Sequence, residues 1–553
     1  MIIASNELPG QAPLEATVCI IGAGAAGITL ACELDSAGFS VLLLEAGGRG
    51  TPGANAEYYR GTASAPHPAT TDYRRVRFGG TTGVWGGRCV PFDPIDFERR
   101  EYITDSGWPI PYAEVARYYP RALAYCDAGE FDFSISGSLP GAPPTIAGFD
   151  GAGVVLDNCI ERYSLPTDFG KRYRATIDKS ANVTSILHAR CVALHRAAGA
   201  NRIERAEFVD RGGRRRCVNA RYFVLACGGI EVPRLLLASD GNGAGLGNAS
   251  DHVGRYYACH IENALGKLTP NGAAVAFDFE RTADGVYCRR KFQFSDAAQR
   301  EHQLLNTAIR LHFPDYADAS HGSSVLSAIY LTKSALLPEY RAILQHNSQS
   351  AASPVAAHGG NVLRGLPDLA RFAWLWLRHR QLARRKLPYT LVANADGSYP
   401  LEFNCEQTPQ STNRITLTPD LDMHGMRRVH VEWRIAEADV AASCRALELL
   451  RAVVNRTGTA RVEYGMADVA ERIRRSAPLG GHHLGTARMA VNARAGVVDG
   501  DCALFELPNL LVASSAVFPT ASHANPTLTI VALAVRLAEF IKARCGALNT
   551  AEV

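Results

Sequence analysis

The stretch Ala16 to Gly47 reads ATVCIIGAGAAGITLACELDSAGFSVLLLEAG. Thr17 to Ile21 is a short β-branched run of the kind that suits a strand buried on both faces, and it runs into Gly22-Ala23-Gly24-Ala25-Ala26-Gly27, a GxGxxG turn. Ala25 to Ser36 then predicts a helix whose small first residues let the backbone approach a phosphate, with Gly38 as its stop signal. A second apolar run, Val41 to Leu44, closes on Glu45, 18 positions past Gly27 and near the spacing expected of the acid that binds an adenosine ribose. Strand, turn, helix, strand and acid in this order predict a dinucleotide whose pyrophosphate sits on a helix N-terminus. The pattern fits FAD and NAD equally.

With 553 residues, the chain is too long for one hydrophobic core, so two or more domains are expected. An apolar fraction of 47%, a charged fraction of 20% and a net charge of +4 are those of an ordinary globular protein and point to neither nucleic acid nor membrane as a partner. The fourteen Cys include no CxxC pair, which argues against zinc or an iron-sulfur cluster, and no metal is expected. The N-terminal segment lacks a basic region followed by an apolar one, and no run approaches the roughly 20 apolar residues of a membrane span. A cytoplasmic location is expected.

Further along, Arg77 to Pro91 reads RFGGTTGVWGGRCVP, with five Gly between Gly79 and Gly87, a loop able to press its backbone against a flat ligand. Asp105 to Tyr112 reads as a turn and Ala113 to Tyr125 as a helix. Strands are expected at Val183 to Leu187 and Arg221 to Ala226, the second leading through Gly228-Gly229 into a helix that starts around Glu231 and Pro233. Asn248 to His260 reads as a turn. From there to about Ala477 the pattern is strands and loops, interrupted by a basic helical insertion, Leu363 to Lys386, whose Phe372, Trp374, Leu375 and Trp376 are assigned to core or a dimer contact in preference to a membrane. Near the end come GGHHLGTARMA at Gly480 to Ala490 and the strand NLLVAS at Asn509 to Ser514. A final helix lies within Ala521 to Lys542, with Asn525 as its cap and Pro526 at its first position.

Four of these blocks, the N-terminal dinucleotide unit, GGTTGVWGG, CGGIEVPRLLLAS and the pair HHLGTARM with NPTLTI, resemble those of the glucose-methanol-choline (GMC) family of FAD-dependent alcohol oxidoreductases, specifically its bacterial sugar- and glycoside-oxidising, pyranose-oxidase-like branch. The resemblance implies an α/β fold with a Rossmann-like FAD-binding domain (GMC/p-hydroxybenzoate-hydroxylase-like) and an inserted α+β substrate domain on an antiparallel sheet. The FAD domain is expected from 1–95, 180–260 and 478–553. The substrate domain is expected from 96–179 and 261–477, with the helical insertion near 363–386.

It also implies that His482 is the catalytic base and that Asn525 hydrogen-bonds the substrate alcohol. FAD contacts are implied at Gly22, Gly24, Ala26, Gly27, Glu45 and Ala46, and in the loop at Gly79, Gly80, Thr82, Gly83, Val84, Trp85 and Gly86. Others fall at Cys191, Val192, Ala226, Cys227, Gly228 and Glu231, and at Asn525, Pro526 and Thr527. The amides around Thr527 and Leu528 are implied to face the flavin pyrimidine ring, where negative charge develops. Val84 stands where some relatives carry the His that bonds the flavin, so non-covalent FAD is expected. The polar block at Phe403 to Leu417, FNCEQTPQSTNRITL, suggests a sugar, glycoside or amino sugar, met by Glu402, Glu406 and Gln407 and by His483 beside the base. Steroid, aryl or aliphatic alcohols, or a non-catalytic electron-transfer flavoprotein, are the alternatives. Oxygen or a small acceptor is expected to take the electrons, since there is no CxxCH haem motif.

Overall fold

The computed structural model describes residues 1–10, 12–50, 55–164, 167–239, 243–335, 344, 352–392 and 394–549. Its first sheet has nine strands. The strand Leu14–Ile21 lies between Val41–Glu45 and Arg215–Leu225, parallel to both. The parallel array continues through Val183–Leu187 to Ile2–Ala4 on one side and to Leu507–Val512 on the other. Val18, Cys19, Ile20, Leu43, Phe223 and Val224 are wholly buried, which is why these strands read as unbroken apolar runs without polar alternation. The helices Ala25–Asp35 and Thr527–Asn549, far apart in the chain, pack against one another and share one core.

All nine strands of this sheet come from within 1–95, 180–260 and 478–553. A second sheet of eight antiparallel strands runs from Ala460–Glu463 through His260–Pro270, Tyr399–Glu406, Thr307–Leu311, Tyr287–Phe294 and Val155–Tyr163 to Arg88–Cys89. Arg88–Cys89 thus crosses from the segment expected for the first domain into the sheet of the second. Ile261, Leu265, Phe292, Ile309, Leu401 and Phe403 pack with Leu447 and Leu450 of the helix Glu437–Thr457 to form the second core. Arg414–Leu421, Arg427–Glu432 and Thr62–Ala63 make a small third sheet.

Several local expectations shift. The single helix at Ala113 to Tyr125 is two, Tyr112–Ala116 and Tyr119–Cys126, because Pro120 has no N–H to give and its ring blocks the preceding turn. The strand placed at Arg221 to Ala226 is longer, Arg215–Leu225, its outer half forming a hairpin with Ile203–Val209. The insertion forms Val355–Arg364, Leu366–Trp376 and a π-helical turn Leu377–Gln381, interrupted at Gly365. Its assignment to core holds for neither Trp374 nor Leu375. Phe372 and Trp376 are half-buried against a cavity, whereas Trp374 and Leu375 are exposed. No described helix is long and apolar enough to cross a membrane.

Candidate active site

A cavity of about 1040 Å³ opens where the C-terminal ends of the parallel strands meet the second sheet. Its first half is built by backbone. Gly22 is at φ +110, and a Cβ there would come 2.6 Å from Ala226 O, so only glycine lets the two strand ends close together. Gly24, Gly86 and Gly228 are the reverse case: a Cβ at each meets no protein atom within 4 Å, and all three line the cavity. This is a cradle that side chains would fill and that a dinucleotide fits.

Beside it, Glu45 is buried, with Oε2 accepting from Ala23 N at 3.0 Å and Oε1 from Gly47 N at 2.7 Å. Burial pushes its carboxyl up, and the two amides and Arg77 pull the other way. Each oxygen keeps a lone pair for a ribose hydroxyl. Ala26, Ala46, Gly80, Thr82, Val84, Trp85, Cys191, Ala226 and Cys227 also line the cavity, as do Pro526 and Thr527 at the start of the last helix. Trp85 is anchored by its indole N–H on Thr167 O at 2.9 Å. Glu231 lines the cavity too, held by Arg74, Arg190 and Arg234 at 2.8, 3.7 and 3.3 Å, so its charge is spent within the protein.

Four expected cofactor contacts do not reach the cavity. Gly27 is a packing glycine whose Cβ would lie 1.9 Å from Gly22 O. Gly79 presses on Gly170 N and Gly83 on the Arg77 guanidinium, at 2.5 and 1.8 Å from where a Cβ would stand. Val192 follows Cys191 on a strand, turns to the opposite face and enters the core.

In the other half of the cavity, Asn525 Nδ2 donates to His482 Nε2 at 2.9 Å. A lone pair is therefore held at Nε2 and the ring proton sits on Nδ1, which Glu262 Oε1 faces at 3.5 Å. Burial is the main reason that the His482 pKa is lowered to about 3, with His260 adding to the effect and Glu262 opposing it. Asn525 Oδ1 has no hydrogen-bond partner among the described residues, so the side chain does not cap the last helix as the sequence suggested; that helix begins at Thr527. An alcohol O–H donates to Nε2 when the Asn525 amide hydrogen turns from Nε2 to the alcohol oxygen.

His483 also lines the cavity, with burial holding its pKa well below the usual value, and its ring stacks on Tyr257 at 6.0 Å. Glu402 is at the cavity wall, paired with Arg88, Arg289 and Arg310 at 3.3, 2.6 and 3.6 Å. Burial would raise its carboxyl, but Arg289, Arg310, His312 and Arg88 together hold it well below the usual range. Glu406 and Gln407 are corrections. Glu406 is a buried partner of Arg100, and Gln407 spends its amide on Trp433 Nε1, Cys259 N and Arg434 O, so neither lines the cavity.

Two residues of this half were missed in the sequence. His260 and Glu262 alternate on the strand His260–Pro270 and point toward His482, with all three ligand-type atoms within 4.8 Å of one another. The signal was the i, i+2 pattern His-Ile-Glu, hidden because that segment reads as the end of a turn. Arg88 and Tyr389, which complete the polar wall, carried no motif.

A family model described as GMC oxidoreductase matches residues 409–534, and one for NAD(P)-binding Rossmann-like domains matches 20–75. The chain is 25% identical to 2-methyl-1,2-propanediol dehydrogenase of Mycolicibacterium austroafricanum, over 95% of each chain. It is 24% identical to paromamine 6'-oxidase of Streptomyces fradiae, over 97% of this chain and 93% of that one. A solved fungal aryl-alcohol oxidase has the same fold, with a TM-score of 0.55 at 14% identity, covering 96% of this chain and 99% of the other.

The glycine geometry makes a paired prediction. Gly24→Ala adds a methyl only to the cofactor space, so the protein should fold with an unchanged melting midpoint yet purify with less flavin. Gly27→Ala should instead lower the melting midpoint itself. The absorbance ratio of flavin to protein, read beside a thermal melt, checks both, and a Gly24→Ala protein with full flavin would contradict the cradle.

Proposed function

From the premise that the chain belongs to the GMC oxidoreductase family, FAD-dependent enzymes that oxidise alcohols, we propose that it oxidises a hydroxyl of a sugar, glycoside or related polyol with His482 as base. The observation that carries this reading is the His482–Asn525 pair, whose hydrogen bond holds a lone pair at Nε2 inside the cavity. Bound in the cradle, FAD supplies the acceptor for the hydride that leaves the alcohol carbon.

The protein's own residues handle the proton. His482 Nε2 takes it from the hydroxyl as the C–H bond breaks, leaving a carbonyl product. Asn525 orients the alcohol oxygen with the amide hydrogen it otherwise gives to His482. Glu262, whose carboxyl is held below its usual range by the neighbouring histidines against the effect of burial, faces Nδ1 and stabilises the imidazolium formed. The pyrrolidine of Pro526 and the first turn of Thr527–Asn549 close the site behind these groups and present the positive end of the helix to the cavity.

The polar wall supports a hydroxyl-rich substrate. Arg88, Tyr389 and Glu402 offer donors and acceptors at one surface, and the charges of Arg88, Arg289 and Arg310 are matched by Glu161, Glu262 and Glu402. A balanced wall of this kind favours a neutral polyol over an ion. All fourteen cysteines are free thiols, which supports the reducing conditions of cytoplasm. Oxygen or a small acceptor is the proposed electron sink.

Two outcomes test the proposal. In anaerobic mixing with a panel of sugars and diols, a substrate should bleach the flavin band, and His482→Ala should slow that step by roughly 10² to 10⁴-fold, while His483→Ala slows it least. Because the pKa of His482 is depressed to about 3, Nε2 stays unprotonated across about pH 5 to 8, and the wild-type rate should be flat there, falling only as pH drops toward that value. Bleaching at wild-type rate in His482→Ala would overturn the assignment. Separately, Val84 has no nucleophile, so acid precipitation should release all the yellow colour into the supernatant, and colour kept in the pellet would contradict non-covalent FAD.

A further inference from the structure

The helical insertion over the cavity has two faces with different chemistry. Phe372 and Trp376, one turn apart on Leu366–Trp376, line the cavity, as does Arg380 on the π turn that follows. On the opposite side Leu366, Ala370, Trp374 and Leu377 recur at i, i+4, i+8 and i+11, and all four are exposed, Trp374 by 61%. Leu363, on the preceding helix, and Leu375 and Leu382, outside the stripe itself, are also exposed.

Cations surround the stripe. Leu363 to Lys386 holds six Arg and one Lys against a single acid, Asp368, a net +6 in a chain whose total is +4. Arg380 is turned onto the carbonyls of Leu387 and Pro388, and Arg385 binds Asp127 at 3.1 Å. Arg364, Arg371, Arg378 and Arg384 are exposed and form no ion pair among the described residues. A large indole and several leucines bordered by unpaired arginines are the composition of a helix that lies in a membrane interface, with apolar side chains in the acyl boundary and guanidinium groups on phosphates.

We propose that this face docks the protein on an anionic phospholipid surface, bringing the roof of the cavity against the bilayer without any segment crossing it. Charge decides between lipid and a second copy of the chain. A two-fold contact through this face would set the unpaired Arg364, Arg371, Arg378 and Arg384 against the same four arginines of a second copy, whereas anionic headgroups complement them. The sequence reading set membrane aside for core or a dimer contact; the exposure of Trp374 and its neighbours speaks against core, and the charge of the face is the reason for choosing lipid over dimer. The proposal stands apart from the alcohol chemistry and concerns only where that chemistry takes place.

The test uses the FAD-loaded enzyme and sedimentation with vesicles of mixed phosphatidylglycerol and phosphatidylcholine, set against vesicles of phosphatidylcholine alone. The protein should pellet with the mixed vesicles, release in high salt, and stay in solution with the neutral ones. Arg371→Glu with Arg378→Glu, and separately Trp374→Ser with Leu377→Ser, should each weaken binding at least about tenfold, with flavin content and melting midpoint unchanged. In the wild-type protein, brominated acyl chains should quench tryptophan emission, and Trp374→Phe should remove most of that quenching. Equal binding to neutral vesicles, no binding to either, or a dimer in light scattering that Trp374→Ser dissolves would each overturn the proposal.

Discussion

The close approach of three backbone segments at Gly22 holds the molecule together. Gly22 O lies where a Cβ on Gly27 would be, and Ala226 O where a Cβ on Gly22 would be, so two parallel strand ends and one helix start converge on a single point. Nothing larger than hydrogen fits there. The convergence leaves Gly24 and Gly228 facing open space, while Arg215–Leu225 pairs on its other side with Leu507–Val512 and the last helix packs on the first. The cradle is therefore a consequence of one packing constraint, and Asn525 is brought to its other side by the last segment of the chain.

The remainder of the cavity is governed by the cost of burying charge. Glu161 and Arg310 are fully buried and paired, and Glu402 is shared among three arginines, because an ion taken from water is tolerable only with a partner and hydrogen bonds. The same desolvation keeps His482 and His312 neutral, each at about 3. In such surroundings a proton arriving on His482 would be stabilised chiefly by Glu262, so the proposed base and its counter-charge form one unit. Wall and base thus answer to the same rule, and the site is polar without carrying a net charge among Arg88, Arg289, Arg310, Glu161, Glu262 and Glu402.

How much of this was legible depended on whether the signal was local. The unit Ala16 to Gly47 declares itself because turn, helix and acid lie within one short stretch, and Val183–Leu187 and the helix at Glu231 had similarly compact cues. Gly79 and Gly83 were misjudged because a glycine needed for packing on Gly170 or Arg77 is written in the same letter as one facing a ligand. Gln407 sits one residue past a strand whose Glu402 does reach the cavity, and only tertiary partners such as Trp433 separate the two. Asn525 was read as a cap from its place before Pro526, yet its amide is drawn to His482, 43 positions earlier, a competition no local pattern records. The insertion shows the limit most clearly: an amphipathic pattern says that a helix has two faces and leaves open which one is covered.

The central claim is that the Nε2 lone pair of His482, which Asn525 holds unprotonated, receives the alcohol proton, and chemical rescue tests it most directly. His482→Ala leaves a hole beside Asn525 that is large enough for added imidazole. Anaerobic flavin reduction in that variant should speed up with imidazole concentration and follow the unprotonated fraction of imidazole as pH is varied, while the wild-type rate does not respond. A reduction rate in His482→Ala that ignores imidazole at every pH, although Asn525 and the flavin are in place, would contradict the account.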